Sequence, residues 1–190
     1  MKKGIIMARA VILIDGEYVR KIFKKQGINV DIPKFVRKVL ELSRIEEKDL
    51  LRVYFYTSAP YQPTNPTAEE KARYRNFQKF EEFLKKQDSF EIKMGRTEKR
   101  DNNIYEQKMV DVLLSIDLVE LSAKAKIESA VLIAGDSDFV PAMKKAKDNG
   151  VRVYLCCSSN KNEYHKNLWN EADKRILIDK SIMKECSAKQ

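Results

Sequence analysis

The chain has 190 residues, 43% of them hydrophobic, which suits one domain with a full core and excludes a disordered polymer. Its apolar runs fall far short of the roughly 18 residues of a membrane helix. Residues Met1 to Met7 are basic but carry no hydrophobic signal core, so a cytoplasmic protein without membrane contact is expected. Lys and Arg number 37 against 28 Asp and Glu, a net charge of +9. That excess favours a polyanionic partner, nucleic acid above all, although a lysine-rich, well-solvated surface gives the same balance. Three cysteines in no CxxC or CxH spacing support neither a disulfide framework nor a zinc site, and a single histidine leaves little room for histidine chemistry.

Taken in chain order, strands and helices alternate. Ala10 to Ile14 is an unbroken apolar run ending at Asp15-Gly16, as a strand buried on both faces requires. Asp31 caps a helix with Pro33 in its first turn and Phe35, Val36, Val39 and Leu40 along one face. A second strand runs from Leu51 to Thr57, and the loop Ser58 to Pro66 carries three prolines. Thr67 and Glu70 form a capping box ahead of a stripe of Tyr74, Phe77, Phe80 and Leu84, with Glu81–Lys85 and Glu82–Lys86 as outer pairs. Phe90-Glu91-Ile92 reads as an edge strand. A helix from near Ile104 is predicted to bury Met109, Val112, Leu113, Ile116 and Val119 and to carry Asp111 at the margin of that stripe. Strands follow at Ala130 to Ala134, Val151 to Cys157 and Ile176 to Ile178, with a helix over Ser137 to Asn149 closed by Gly150. His165 and Trp169 read as helix packing, and Tyr54 to Tyr56 as strand residues. The pattern predicts an α/β fold of three layers, α/β/α, around a mainly parallel sheet of about five or six strands. Such sheets bind ligands beyond the carboxyl ends of their strands.

Acidic residues stand at that edge. Asp15 ends the first strand, and Asp136 and Asp138, in Ala134-Gly135-Asp136-Ser137-Asp138-Phe139, follow another. A plain turn at Asp15-Gly16 and an N-cap at Asp136 or Ser137 are the simpler explanations. Asp111 is the fourth candidate, against a solvated helix carboxylate. Two carboxylates about 4 Å apart repel by roughly 4 kcal/mol at an effective dielectric near 20, so a cluster of four needs a cation or raised pKa values. An all-oxygen set suits Mg²⁺ or Mn²⁺, which can activate water against a phosphodiester.

The order Ile14-Asp15-Gly16, Lys108-Met109-Val110-Asp111 and Ala134-Gly135-Asp136-Ser137-Asp138-Phe139-Val140-Pro141 resembles the NYN domain, a PIN-like nuclease family that includes the LabA-like proteins. The resemblance runs from about Arg9 to Asp179, so one domain over residues 1–190 with short tails is expected, and Leu168…Ala172-Asp173 is similar to the family's final helix. It implies a Mg²⁺- or Mn²⁺-dependent ribonuclease in which Asp15, Asp111, Asp136 and Asp138 form the catalytic and metal-holding cluster. Tyr18 stands where the family pattern usually has Asn. Ser137 and Asp117 are expected to support the cluster without touching the ion, Asp117 by pairing with a lysine. Lys93, Arg96, Lys99, Arg100 and Lys108, with Asn102 and Asn103, are candidate contacts to RNA, more than to DNA, against a solvated mixed-charge loop. Arg73, Arg75, Lys161 and Lys166 are weaker candidates, and a homo-oligomer is compatible with all of this. Two alternatives stand beside the nuclease. One is a non-catalytic nucleic-acid-binding or regulatory domain. The other is a haloacid-dehalogenase-like phosphatase, whose second aspartate and threonine are replaced by Glu17 and Tyr18.

Overall fold

The structure, a computed structural model, describes residues 9–100 and 105–188. Six strands form one parallel sheet: β1 (Ala10–Asp15), β2 (Leu50–Thr57), β3 (Phe90–Met94), β6 (Ser129–Ile133), β7 (Arg152–Ser158) and β8 (Lys174–Ile178). Their order across the sheet is β3-β2-β1-β6-β7-β8. β4 (Arg96–Lys99) and β5 (Tyr105–Lys108) make a separate antiparallel ribbon. The α-helices are α1 (Gly16–Lys25), α2 (Ile32–Ser43), α3 (Ala68–Lys85), α4 (Val110–Ala123), α5 (Val140–Asp148), α6 (Lys166–Glu171) and α7 (Lys180–Glu185).

The central strands are apolar throughout because both faces are covered. Val11 to Ile14 and Ala130 to Ala134 are wholly inaccessible. α1 to α3 follow strands stepping toward β3, whereas α4, α5 and α6 follow strands stepping toward β8. Right-handed crossovers therefore send the two groups to opposite faces, and α5 packs against both α4 and α6. The chain reverses its direction of travel between β1 and β6, which opens a crevice at their carboxyl ends. No described helix is long and apolar enough to cross a membrane.

Several expected devices are present. Asp31 caps α2 through Lys34 N, and Thr67 with Glu70 closes a full capping box on α3. Glu81 and Lys85 pair at 2.6 Å, an exposed contact of small energetic weight. β3 is the edge strand that Phe90-Glu91-Ile92 suggested.

Other expectations are corrected. The helix expected from near Ile104, a residue outside the described ones, starts at Val110, because 105–108 is the strand β5. Its fully buried apolar residues are Val110, Leu114 and Leu118; of the predicted stripe, Leu113 and Val119 pack half-buried against the core, while Met109, Val112 (56%) and Ile116 (54%) are exposed. α4 is apolar nearly all round, so periodicity alone did not orient it. On α3 only Leu84 is buried outright, and Phe77 and Phe80 instead line a cleft. Asp15-Gly16 is no plain turn but the start of α1. Leu168 lies in α6, which ends before Ala172, and α7 is the last helix.

Candidate active site

Asp15 is fixed by the end of β1. Its Oδ1 accepts from the backbone N–H groups of Glu17 (3.0 Å) and Tyr18 (3.1 Å), capping α1 and leaving Oδ2 unused by the cap. Gly16 follows because nothing larger fits: a Cβ there would stand 2.7 Å from the Phe55 ring and 2.8 Å from the Tyr56 carbonyl oxygen. Asp136 leaves the end of β6 and caps the 3₁₀ turn Ser137–Phe139, its Oδ1 accepting from Asp138 N at 3.0 Å. Asp111 sits in the first turn of α4. It arrives there through Met109, held at φ 70°, a left-handed conformation that costs a non-glycine residue on the order of 1 kcal/mol and turns the chain from β5 into the helix.

Asp15, Asp111 and Asp136 line one cleft of about 1090 Å³ between α1, α3, the β2–α3 loop and the β4–β5 ribbon. Burial, and after it the charge of Asp111, push the Asp15 carboxyl up to about 6 against the two cap hydrogen bonds that favour its ionised form. Burial, then the charges of Asp136 and Asp138, raise Asp111 as well, and Lys21 partly offsets them. The four carboxylates are thus electrostatically coupled, with Asp138 just outside the cleft lining. Among the described residues, no three His, Cys, Asp or Glu side chains are gathered closely enough to hold an ion as they stand. The donor set is all oxygen and carries excess negative charge, which fits a hard divalent cation and no soft one.

Tyr18 does not face this crevice. It is buried beneath the loop after β6, its hydroxyl accepting from Ser158 N at 3.0 Å and so joining α1 to the end of β7. A Cβ on Gly135 would collide with the Tyr18 ring and lie 2.7 Å from the Glu163 carbonyl oxygen. His165 donates its backbone N–H to the Gly135 carbonyl at 2.8 Å. The Asp136 loop is therefore supported from below and from the side. Ser137 is the first residue of the 3₁₀ turn. Asp117 accepts from the Tyr56 hydroxyl at 2.8 Å and lies 3.8 Å from Lys93 Nζ, so it pairs with a lysine while Asp111 points elsewhere.

Of the basic residues singled out in the sequence, only the weaker candidate Arg73 lines the cleft. Lys93, Arg96, Lys99, Arg100 and Lys108 do not line it. Four of them are tied to nearby carboxylates: Lys93 to Glu91, Arg96 to Glu98, and Arg100 and Lys108 to Glu106. Asn102 and Asn103 lie outside the described residues. Instead Arg20, Lys21 and Lys24 of α1 join Arg73 of α3 in facing the cleft. Arg20 forks onto Glu17 at 2.6 and 2.7 Å, and Lys21 stands 3.7 Å from the same carboxylate. Burial pushes Glu17 up, but these cations outweigh it and hold the carboxyl below its ordinary value. Lys24 and Arg73 make no ion pair among the described residues. The signal for α1 was available: Asp15, Glu17 in the first turn, then Val19, Ile22 and Phe23 at helical spacing.

Fold and site together define a parallel α/β domain with an acidic crevice at its switch point and cations along the adjoining cleft. Residues 9–179 match the family model of the NYN domain, nearly the whole chain, and the chain belongs to that family, whose PIN-like fold is generally nuclease-like. Among solved structures it is similar to a protein of unknown function from Vibrio parahaemolyticus. The TM-score is 0.65 at 18% identity, covering 94% of this chain and 97% of that one, a likeness of fold. A search of the curated proteins found no match.

Proposed function

We propose that the chain is a metal-dependent nuclease that hydrolyses phosphodiester bonds in RNA. The observation that supports this most is the meeting of Asp15, Asp111 and Asp136 in one cleft beside Lys24 and Arg73. Asp15, Asp111 and Asp136 would hold Mg²⁺ or Mn²⁺. When bound, such an ion polarises a phosphoryl oxygen and lowers the pKa of water. The remaining work falls to the chain itself. Asp15 is oriented by its two cap hydrogen bonds, so the cluster is anchored on the rigid end of β1. Lys24 and Arg73 draw the phosphate backbone along the cleft. Lys21, whose charge reaches Asp111, tempers the repulsion among the carboxylates. From the exposed rim, Asp138 would either complete the metal-holding set or orient the attacking water.

A second reading, a nucleic-acid-binding domain without turnover, draws on the separation of the carboxylates, none of which forms a ready-made ion site. One titration divides the two. Labelled single-stranded RNA is incubated with increasing Mn²⁺ or Mg²⁺, with EDTA, and with Asp136→Asn. The nuclease gives cleavage lost with EDTA and lost by at least about a hundredfold in the variant. Binding without cleavage at any metal concentration supports the second reading.

A further inference from the structure

Two tyrosines stand over the cleft without a role in the core. Tyr61, half-buried, lies in the three-proline loop after β2, and Tyr105, 45% exposed, opens β5. Their rings meet at 5.6 Å between centroids, tilted by 40°. Both line the cleft that holds Asp15, Asp111 and Asp136, together with Arg73 and Phe77. Neither hydroxyl has a protein hydrogen-bond partner among the described residues, so no polar contact accounts for their position.

The pair is firmly mounted. Thr97 of β4 donates its hydroxyl to the Ala59 carbonyl at 2.6 Å and lies 2.8 Å from the Ser58 hydroxyl. Gly95 N–H reaches the Thr57 carbonyl at 2.8 Å. Gln62 Nε2 donates to the Glu70 carbonyl at 2.9 Å and ties the loop to the start of α3. Ribbon, loop and helix therefore hold the two rings at one place, and β5 runs from there for roughly 10 Å before the turn into α4 and Asp111. An exposed aromatic pair beside cations, on the same cleft as an acidic centre, has the composition of a single-strand platform: rings for bases and positive charge for phosphates.

We propose that Tyr61 and Tyr105 form a stacking platform for an unpaired nucleobase, which makes the substrate a single strand. The proposal rests on the nuclease reading above and adds what selects the substrate. A base inside a duplex has both faces covered by its neighbours and offers none to the rings. Stacking tolerates any base, so the platform selects for single-strandedness and not for sequence.

The test measures binding by fluorescence anisotropy with Mg²⁺ present, in the Asp136→Asn background so that the probe stays intact. Three labelled RNA probes are compared: a ten-nucleotide oligoadenylate, the same backbone without bases, and a ten-base-pair duplex. Tyr105→Ala and Tyr61→Ala each weaken binding of the oligoadenylate about 5- to 150-fold, and Tyr105→Phe restores it. The baseless strand and the duplex are insensitive to all three substitutions. Because Tyr105 is 45% exposed and lies outside the core, melting curves of its variants match the parent. Unchanged oligoadenylate affinity in Tyr105→Ala, or equal losses on the baseless strand or duplex, overturns the platform. Cleavage by the wild-type chain, followed in parallel, separates the two readings. Cleavage together with insensitivity to Tyr105→Ala removes only the platform, whereas absence of cleavage with every metal removes the nuclease and the platform with it.

Discussion

Replacing Asp15 by Asn tests the electrostatic tension in the crevice without removing the helix cap, since an amide oxygen still accepts the Glu17 and Tyr18 N–H groups, though less strongly than a carboxylate. The folded chain holds this carboxyl near 6, against 3.8 ordinarily, chiefly because it is buried and then because Asp111 lies close. A carboxyl whose pKa rises on folding binds its proton more tightly in the folded state, so stability falls as pH climbs from about 4 to 6 and the full cost is present above 6. A shift from 3.8 to about 6 corresponds to at most about 3 kcal/mol. For a chain of this size that is a rise in Tm of at most roughly 6–12 °C for Asp15→Asn at pH 7.5, shrinking to nothing below pH 4. Thermal melts of both proteins between pH 3.5 and 8 measure it. Mn²⁺ should narrow the gap by stabilising the wild type alone, because an ion that binds only the folded state adds RT ln(1 + [L]/Kd). A variant no more stable than wild type at pH 7.5, or one whose advantage persists unchanged at pH 3.5, would refute the reasoning.

Lys24→Ala and Arg73→Ala should each weaken RNA binding across all sequences and reduce the slope of log K against log salt by about 1, while Lys99→Ala on the β4–β5 ribbon leaves both unchanged. Anisotropy titrations at several salt concentrations distinguish the two sets. Gly135→Ala forces a methyl group against Tyr18 and the Glu163 carbonyl and should destabilise by about 1–3 kcal/mol in urea melts. Tyr18→Phe strands the buried Ser158 N–H and should cost about 1–3 kcal/mol of stability while RNA cleavage at saturating metal persists, because the ring lies beneath the site and not in it.

The sheet was legible because a strand covered on both faces must be apolar at every position, and Ala10 to Ile14 and Ala130 to Ala134 meet that demand without exception. Asp15 and Asp136 were legible for the same reason: each is the first charged residue after such a run, and topology alone brings the ends of β1 and β6 together. The β4–β5 ribbon was not legible. Arg96-Thr97-Glu98-Lys99 and Tyr105-Glu106-Gln107-Lys108 have no buried face and no apolar alternation, and are held by backbone pairing and by Thr97 reaching the Ala59 loop. Missing that ribbon displaced the start of α4, while the nearly all-round apolar character of the helix hid which face is buried. α1 was overlooked because Asp-Gly is also a turn signal, and the cations Arg20, Lys21 and Lys24 went unnoticed with it. Lysines in a charged loop looked like phosphate contacts, yet most are paired with carboxylates close by.

Anomalous scattering from a crystal of the wild-type chain soaked in Mn²⁺ goes to the centre of the account. A manganese peak bound by carboxylate oxygens of Asp15, Asp111 and Asp136, absent from Asp136→Asn, is the predicted result. A crevice empty of manganese at concentrations that fill other sites on the same molecule would contradict it.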